Sequence, residues 1–202
     1  MTSSINASVL MLMAPVFVVI FSAIGNKTPI KPIVYSGILI AFIGAALLVD
    51  VFHFSIDNNG LMGDILVMLN ATSYAYYLYF VARLLKKYNA ITITTFLFVF
   101  GFMMVLPIGV SDFVNVEWTS LPNKAIFSMT YVIIGVTILA YLMNAWALQN
   151  SNSTTVGSYI YLQPLLATLI AISLGMDTLS IEKIGYGLLI ISGLFLVNKG
   201  KN

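Results

Sequence analysis

Three clusters of neutral polar and aromatic side chains are the part of this chain best suited to handling a solute. Asn70, Ser73, Tyr74 and Tyr77 recur at spacings of three and four, which places them on one face of a helix. Thr137, Tyr141 and Asn144 repeat the pattern. Thr154, Ser158 and Tyr161 form a third stripe, with Thr155, Tyr159 and Gln163 beside it. Amides, phenols and hydroxyls donate and accept hydrogen bonds without carrying charge. That chemistry recognises a polar or zwitterionic solute with an apolar or aromatic body. In apolar surroundings such groups need partners, so these faces are expected to point inward. Each side chain then serves either as glue between helices or as a substrate contact. The candidate contacts are Asn70, Tyr74, Tyr77, Tyr141, Asn144, Ser158, Tyr161 and Gln163. Pro15 and Pro164 are candidate hinges, because a proline inside a helix removes one donor and frees the carbonyl four residues back.

Bond-making chemistry has little to work with. The chain has one histidine, His53, at a segment end beside Asp50 and Asp57, which reads as a solvated polar residue rather than a metal ligand. It has no cysteine, hence no disulfide framework and no thiolate metal site. No Ser/His/Asp set, HExxH, phosphate-binding loop or GxGxxG is present. The last apolar segment, Ile184–Val197, contains no lysine that could hold retinal as a Schiff base. The expectation is a non-enzyme with no cofactor and no metal.

The elements that carry these residues are set by hydrophobicity. Hydrophobic residues make up 60% of the 202 and charged residues 8%, with a mean hydropathy of +1.00. An ordinary soluble domain is about a quarter charged. The apolar residues fall into seven segments: Ala7–Ile24, Pro32–Val49, Ile65–Ala82, Ile91–Val110, Ala125–Leu148, Val156–Leu174 and Ile184–Val197. Most are long enough to cross about 30 Å of hydrocarbon, and the last must borrow from its flanks. They lack the alternation of barrel strands. Backbone inside a bilayer must bond to itself, so the expected fold is an all-α polytopic membrane bundle of about seven spans. The net charge of +2 is carried by few, scattered loop residues, which argues against a nucleic-acid partner. The expected partners are the lipid bilayer and a small-molecule substrate.

The chain also says one thing twice. Residues 8–49 and 158–197 both run from a small polar residue through a proline and an apolar stretch to Gly-x-x-Thr, then through a charged turn into a second apolar stretch. Pro15 and Pro164 are 149 residues apart; Gly25/Gly175, Thr28/Thr178 and Gly37/Gly187 are 150 apart. Lys27, Lys31, Arg83, Lys86, Lys87, Lys199 and Lys201 all fall on one side of an alternating topology, and only Lys124 and Lys183 on the other. The positive-inside rule then places the C-terminus in the cytoplasm and the N-terminus outside, in the inner (plasma) membrane. All seven acidic residues lie on the outer side. The two copies have opposite orientations, as in carriers whose halves close either side in turn. Gly37, Gly44, Gly187 and Gly193 are expected to allow close helix approach.

At this point the chain resembles the EamA-type members of the drug/metabolite transporter superfamily. The resemblance rests on GDILVMLNATSYAYYLYFVARLL, then IIGVTILAYLMNAWALQNSNSTTVGSYIYLQPLLATLIAISLGMDTLS, then a glycine-containing final segment. It implies a ten-span, five-plus-five inverted-repeat architecture. Residues 1–51 would be the last two spans of a first repeat and 60–202 a complete second repeat. Three further upstream spans would complete the first repeat, and a homodimer is the other expected arrangement. The chain departs from the family at its turns, which read GNK and GMD rather than Gly-Glu, and at Gln163, where the family often has Glu. The implied function is gradient-driven movement, as export, of a small metabolite such as an amino acid or a related polar or aromatic solute by alternating access. The alternative is a non-transporting truncated membrane protein or an assembly partner for another helical subunit.

Overall fold

The structure, a computed structural model, describes residues 3–26, 30–54 and 60–200. Lys27, Thr28, Asp57 and Lys201, used above to read the loops, lie outside them. The fold is all-α. Its elements are α1 (Ser4–Met11), α2 (Ala14–Asn26), α3 (Pro32–Leu48), α4 (Leu61–Leu84), α5 (Ala90–Val114), α6 (Asn123–Tyr131), α7 (Ala140–Asn150), α8 (Ser153–Ser158), α9 (Leu162–Ser173) and α10 (Ile181–Gly200). Some run together. Ser4–Gly25, Leu61–Leu84, Ala90–Val114, Asn123–Asn150, Ser153–Ser173 and Ile181–Gly200 are each long and apolar enough to cross a membrane, and Pro32–Leu48 is a shorter apolar helix. These match the seven segments read from hydrophobicity, and α10 extends to 20 residues by borrowing from both flanks. The protein is an all-α polytopic membrane protein.

The chain divides into two compact units, Met1–Phe80 with Ser151–Asn202, and Val81–Asn150. In the second unit, α5 runs through Pro107 without a break. Between α6 and α7, residues Val132–Leu139 form a π-helix, where the Thr137 hydroxyl donates to the Val132 carbonyl at 2.9 Å. Thr72, Thr95 and Thr130 make the same kind of bond four residues back in regular helix, and the wider π turn moves the acceptor of Thr137 to the fifth. Phe98 of α5 packs on Tyr141 of α7, with ring centroids 5.4 Å apart.

In the first unit the core is an antiparallel seam between α3 and α10. A methyl group built on Gly37 would lie 2.7 Å from the Gly193 carbonyl oxygen, and one on Gly193 would lie 2.6 Å from both the Gly37 carbonyl oxygen and the Ala41 nitrogen. One on Gly44 would meet the Tyr186 carbonyl oxygen at 2.8 Å, and one on Gly200 would run into the Val34 side chain. The two backbones therefore touch along their length. Hydrocarbon gives apolar side chains no reason to seek one another, so membrane helices associate through this kind of dispersion contact at small residues. Gly37, Gly44 and Gly193 behave as expected. Gly187 differs: its nearest neighbour is the flexible end of Leu165.

Beyond α9 the chain turns at Gly175, whose φ of 70° is the left-handed conformation of a helix C-terminus. Lys183 then reaches back to Asp177 at 2.5 Å and to the Thr178 carbonyl at 2.9 Å. The Lys183 hydrogen bond, followed by the Thr178 amide, holds the Asp177 carboxyl below its ordinary value.

Two predictions follow from this packing. Gly193→Leu should unfold at a lower temperature or fail to fold in detergent, since overpacking costs about 1–3 kcal/mol and here meets backbone. Gly101→Ala, in α5 where nothing lies within 4 Å, should be neutral or gain up to about 1 kcal/mol of helix propensity. Thermal unfolding followed by circular dichroism separates the two. At the turn, the folded Asp177 carboxyl titrates below its unfolded value of about 3.9. Its pairing is present above that pH and is lost as pH falls through the lower folded value. Carbon-13 NMR of the carboxyl should show this, and Lys183→Met should shift the titration back up.

Candidate functional site

The repeat seen in the sequence returns as a repeated local structure. The side chain of Ser3 accepts from the Asn6 amide at 3.1 Å and starts α1. The side chain of Asn152 accepts from the Thr155 amide at 2.7 Å and starts α8. Both are N-caps that satisfy orphan amides, and they stand 149 residues apart, as the prolines do. Each cap opens a short helix that then breaks. After α1 the chain tightens at Leu12 and Met13, with the Met13 amide bonding the Leu10 carbonyl. After α8 it tightens into a 3₁₀ turn over Tyr159–Tyr161. Just beyond each break comes the proline, Pro15 in α2 and Pro164 in α9. Neither can donate to the carbonyl four residues back, so Met11 and Ile160 lose their ordinary helical donor.

The two broken spans run antiparallel and are joined at one end only. There, α2 lies on α8. The Ser22 and Ser153 hydroxyls share a hydrogen bond at 3.0 Å, and both residues are buried. A methyl group on Gly157 would meet Val18 at 3.1 Å. The crossing point is apolar: Ala14, Ala71 and Ile160 form a buried cluster, with Met11, Phe17 and Tyr74 against it. Past the crossing, α1 and α9 separate around a cavity of about 440 Å³. From α1 it is lined by Ala7, Ser8, Met11 and Leu12; from the other broken span by Ile160, Gln163, Pro164, Ala167 and Thr168. Leu48 and Val49, at the end of α3, complete the wall. The lining is largely apolar with three neutral polar groups: two hydroxyls and one amide; the Ser8 hydroxyl donates to the Ser4 carbonyl at 2.8 Å, which leaves its oxygen to accept. The two residues whose carbonyls the prolines release, Met11 and Ile160, both line it.

The structure distributes the sequence candidates unevenly. Gln163 and Pro164 line the cavity. Tyr74 packs against the crossing cluster and stacks on Tyr77, with ring centroids 5.9 Å apart. Pro15 is fully buried beside the break. Ser158 is fully buried, and its hydroxyl donates to the Thr155 carbonyl at 2.7 Å, which spends it inside its own helix. Tyr161 is fully buried on the α3–α10 seam, edge-on to Phe42. Asn70 is exposed, away from the cavity lining. Tyr141 and Asn144 belong to the second unit. Of the polar stripes, only Asn70–Tyr77 lies on one regular helix; the second begins in the π-helix of Val132–Leu139 and the third crosses the 3₁₀ turn of Tyr159–Tyr161, and a stripe does not say which neighbour covers it.

Sequence reasoning missed Ser8 and Thr168. It also missed a buried carboxylate. Asp64, in the first turn of α4, is 7% exposed and accepts from the Asn6 side-chain amide at 3.4 Å. Its place beside Gly63 at the edge of an apolar run reads as a loop end until α1 is packed over it. For Ser8 and Thr168 a signal did exist. Ser8 falls on the register of Gly157, and Thr168 stands one turn beyond Pro164.

Tyr161 allows a direct check. Among the described residues its hydroxyl has no hydrogen-bond partner, and a buried, unsatisfied polar group costs about 1–3 kcal/mol. Tyr161→Phe should therefore unfold at an equal or higher temperature. A clear fall would show that the hydroxyl has a partner in the folded protein.

Comparison with known proteins agrees with this reading of a membrane carrier. Residues 61–199 match the EamA-like transporter family. The chain is 28% identical over 199 residues to an uncharacterized transporter of Archaeoglobus fulgidus, covering 96% of this chain and 67% of that protein. It is 31% identical over 143 residues to an uncharacterized transporter of Haemophilus influenzae, covering 69% of this chain and 83% of that protein. A solved structure, at 15% identity, superposes over the whole chain and 68% of its own with a TM-score of 0.80, which speaks for the fold alone. With two proline-broken spans, a cavity between them and this family match over most of its length, the chain belongs to the EamA-like transporter family and is a multi-pass membrane transporter.

Proposed function

We propose that the chain exports a small polar or zwitterionic solute with an apolar body, an amino acid or a close relative, by gradient-driven alternating access in the plasma membrane. The C-terminus would be cytoplasmic and the N-terminus external. The observation that carries this is the cavity where α1 and α9 separate. Its apolar wall suits the body of such a solute. Ser8, Gln163 and Thr168, with the carbonyls of Met11 and Ile160, suit an ammonium group that donates several hydrogen bonds. Among the described residues no charged side chain lines it, so recognition would rest on dipoles, which bind a net-neutral zwitterion without a fixed counter-ion. No nucleotide-binding motif is present in the sequence, which is why a gradient is the proposed energy source.

A second reading, a helical subunit that works only with a partner, is supported by Asn70 and Ser73. Both are exposed within α4, where hydrocarbon would leave their polar groups unsatisfied. The test is uptake of labelled neutral and aromatic amino acids into proteoliposomes under an imposed proton or sodium gradient. The expected result is saturable movement, abolished by Thr168→Phe, which puts a ring in the cavity. Gln163→Leu should raise KM by up to about 10-fold, one hydrogen bond being worth about 0.5–1.5 kcal/mol. Absence of saturable movement of any amino acid would sink the proposed substrate class. Activity that appears only after co-expression with a further membrane subunit would favour the second reading.

A further inference from the structure

Between Asp64 and Asp112 the chain carries only three charged residues, Arg83, Lys86 and Lys87. They cluster where α4 ends at Leu84 and α5 begins at Ala90. Leu61–Leu84 and Ala90–Val114 are each long and apolar enough to cross a membrane, so the short turn joining them stands at the level of the lipid headgroups. That turn is fixed by its backbone. The Leu85 amide bonds the Val81 carbonyl at 2.9 Å, and the Lys87 and Tyr88 amides both bond the Leu84 carbonyl at 2.9 Å. The Asn89 side chain then accepts from the Ile91 amide at 2.8 Å and starts α5. Leu85 and Ala90 are buried, while Arg83, Lys86, Lys87 and Tyr88 are exposed. The ion pairs His53–Asp50 and Lys183–Asp177 lie elsewhere, and among the described residues no carboxylate meets Lys86 or Lys87.

We infer that the turn carrying Arg83, Lys86 and Lys87 is a binding site for the phosphate of an anionic phospholipid. Charge complementarity selects the ligand. Lys86 and Lys87 follow Arg83 by three and four residues, which gathers the three cations on one side of the turn. Each basic side chain beside an anionic bilayer surface gains about fivefold in association. Lysine stems lie along apolar surface while the ammonium reaches the headgroup layer. Tyr88 adds a phenol at the depth where tyrosine anchors membrane proteins. Ile91, exposed in the first turn of α5, gives the acyl chains an apolar start. A soluble anion meets the same cations, but only a lipid phosphate is held at that depth by its own chains. Topology asks only for basic residues somewhere on one side; a fixed turn with two uncompensated lysines can hold one headgroup. The site lies wholly within the Val81–Asn150 unit and stands whether or not the chain moves a solute.

The chain has no cysteine, so Tyr88→Cys carries a single bimane fluorophore beside the cations and leaves them in place. The labelled protein is reconstituted in phosphatidylcholine and titrated with phosphatidylglycerol or phosphatidylcholine bearing a nitroxide high on one acyl chain. Phosphatidylglycerol should quench at about 25-fold lower mole fraction, the effect of two lysines at about fivefold each. Lys86→Gln/Lys87→Gln should bring the two lipids within a few-fold of each other, and Lys86→Arg/Lys87→Arg should restore the difference. Lys31→Gln/Lys124→Gln removes the same charge from two exposed lysines elsewhere and should leave the difference intact. Equal quenching by both lipids, with all three cations present, overturns the site. An equal loss in Lys31→Gln/Lys124→Gln also overturns it, since bulk charge alone would then be responsible. So does full displacement by millimolar inorganic phosphate, which would make a soluble anion the ligand.

Discussion

Backbone contact between α3 and α10 is the constraint on which the rest of the first unit depends. Four glycines, two on each element's facing side or end, let the helices meet at distances no side chain would permit. Everything else in the unit is arranged around that seam. Tyr161, Leu12 and Val19 pack onto it from the two broken spans, so the breaks are anchored from one side by a surface that cannot slide. In a bilayer this matters more than in water. Lipid chains compete with apolar side chains on equal terms, and only close, extended contact is decisive.

A rigid seam beside two interrupted helices divides the labour. The seam carries stability; the spans that lean on it are cut by prolines next to turns of tighter helix. Uninterrupted α-helix satisfies all its own backbone groups and is the default inside hydrocarbon. Breaking it releases carbonyls, which is tolerable where they meet protein or a wet cavity. Both breaks here sit at the crossing where the cavity begins. The structural irregularity and the candidate binding space are therefore one feature. The hydroxyl pair at Ser22 and Ser153 and the close fit of Gly157 on Val18 then decide at which end the spans meet.

The large-scale plan was legible from the chain. Hydrophobic segment lengths marked the spans, because a fixed bilayer thickness demands a fixed helix length. The echo of Pro15 in Pro164 marked both helix breaks, because each proline removes a donor from the turn before it, whereas Pro107, which has no such echo, sits in a helix that stays whole. Gly37, Gly44 and Gly193 were recognised as contact residues because glycine in a membrane helix has few other uses. The candidate site was legible only in part. Gln163 and Pro164 were found; Ser8 and Thr168 were not. Ser158 was correctly seen as polar and inward, yet its hydroxyl is occupied by its own helix. Asn70 shares a face with Tyr74 and Tyr77, but only the two tyrosines gain ring packing there. Helical periodicity identifies a face without naming its neighbour.

What the sequence determined alone were properties that act locally or through the solvent: the all-α membrane class, the apolar segments that become its helices, the positions of the helix breaks and the repeat that links them. What only the tertiary structure decided was which of two equivalent ends is closed. The repeat makes Val18–Gly157 and Ala167–Ser8 matching pairs, and nothing local to either prefers one. The choice is made by contacts between residues more than a hundred positions apart, and by the cavity left where those contacts are absent. Asp64 shows the same limit. A carboxylate at a helix start reads as solvated until another helix covers it.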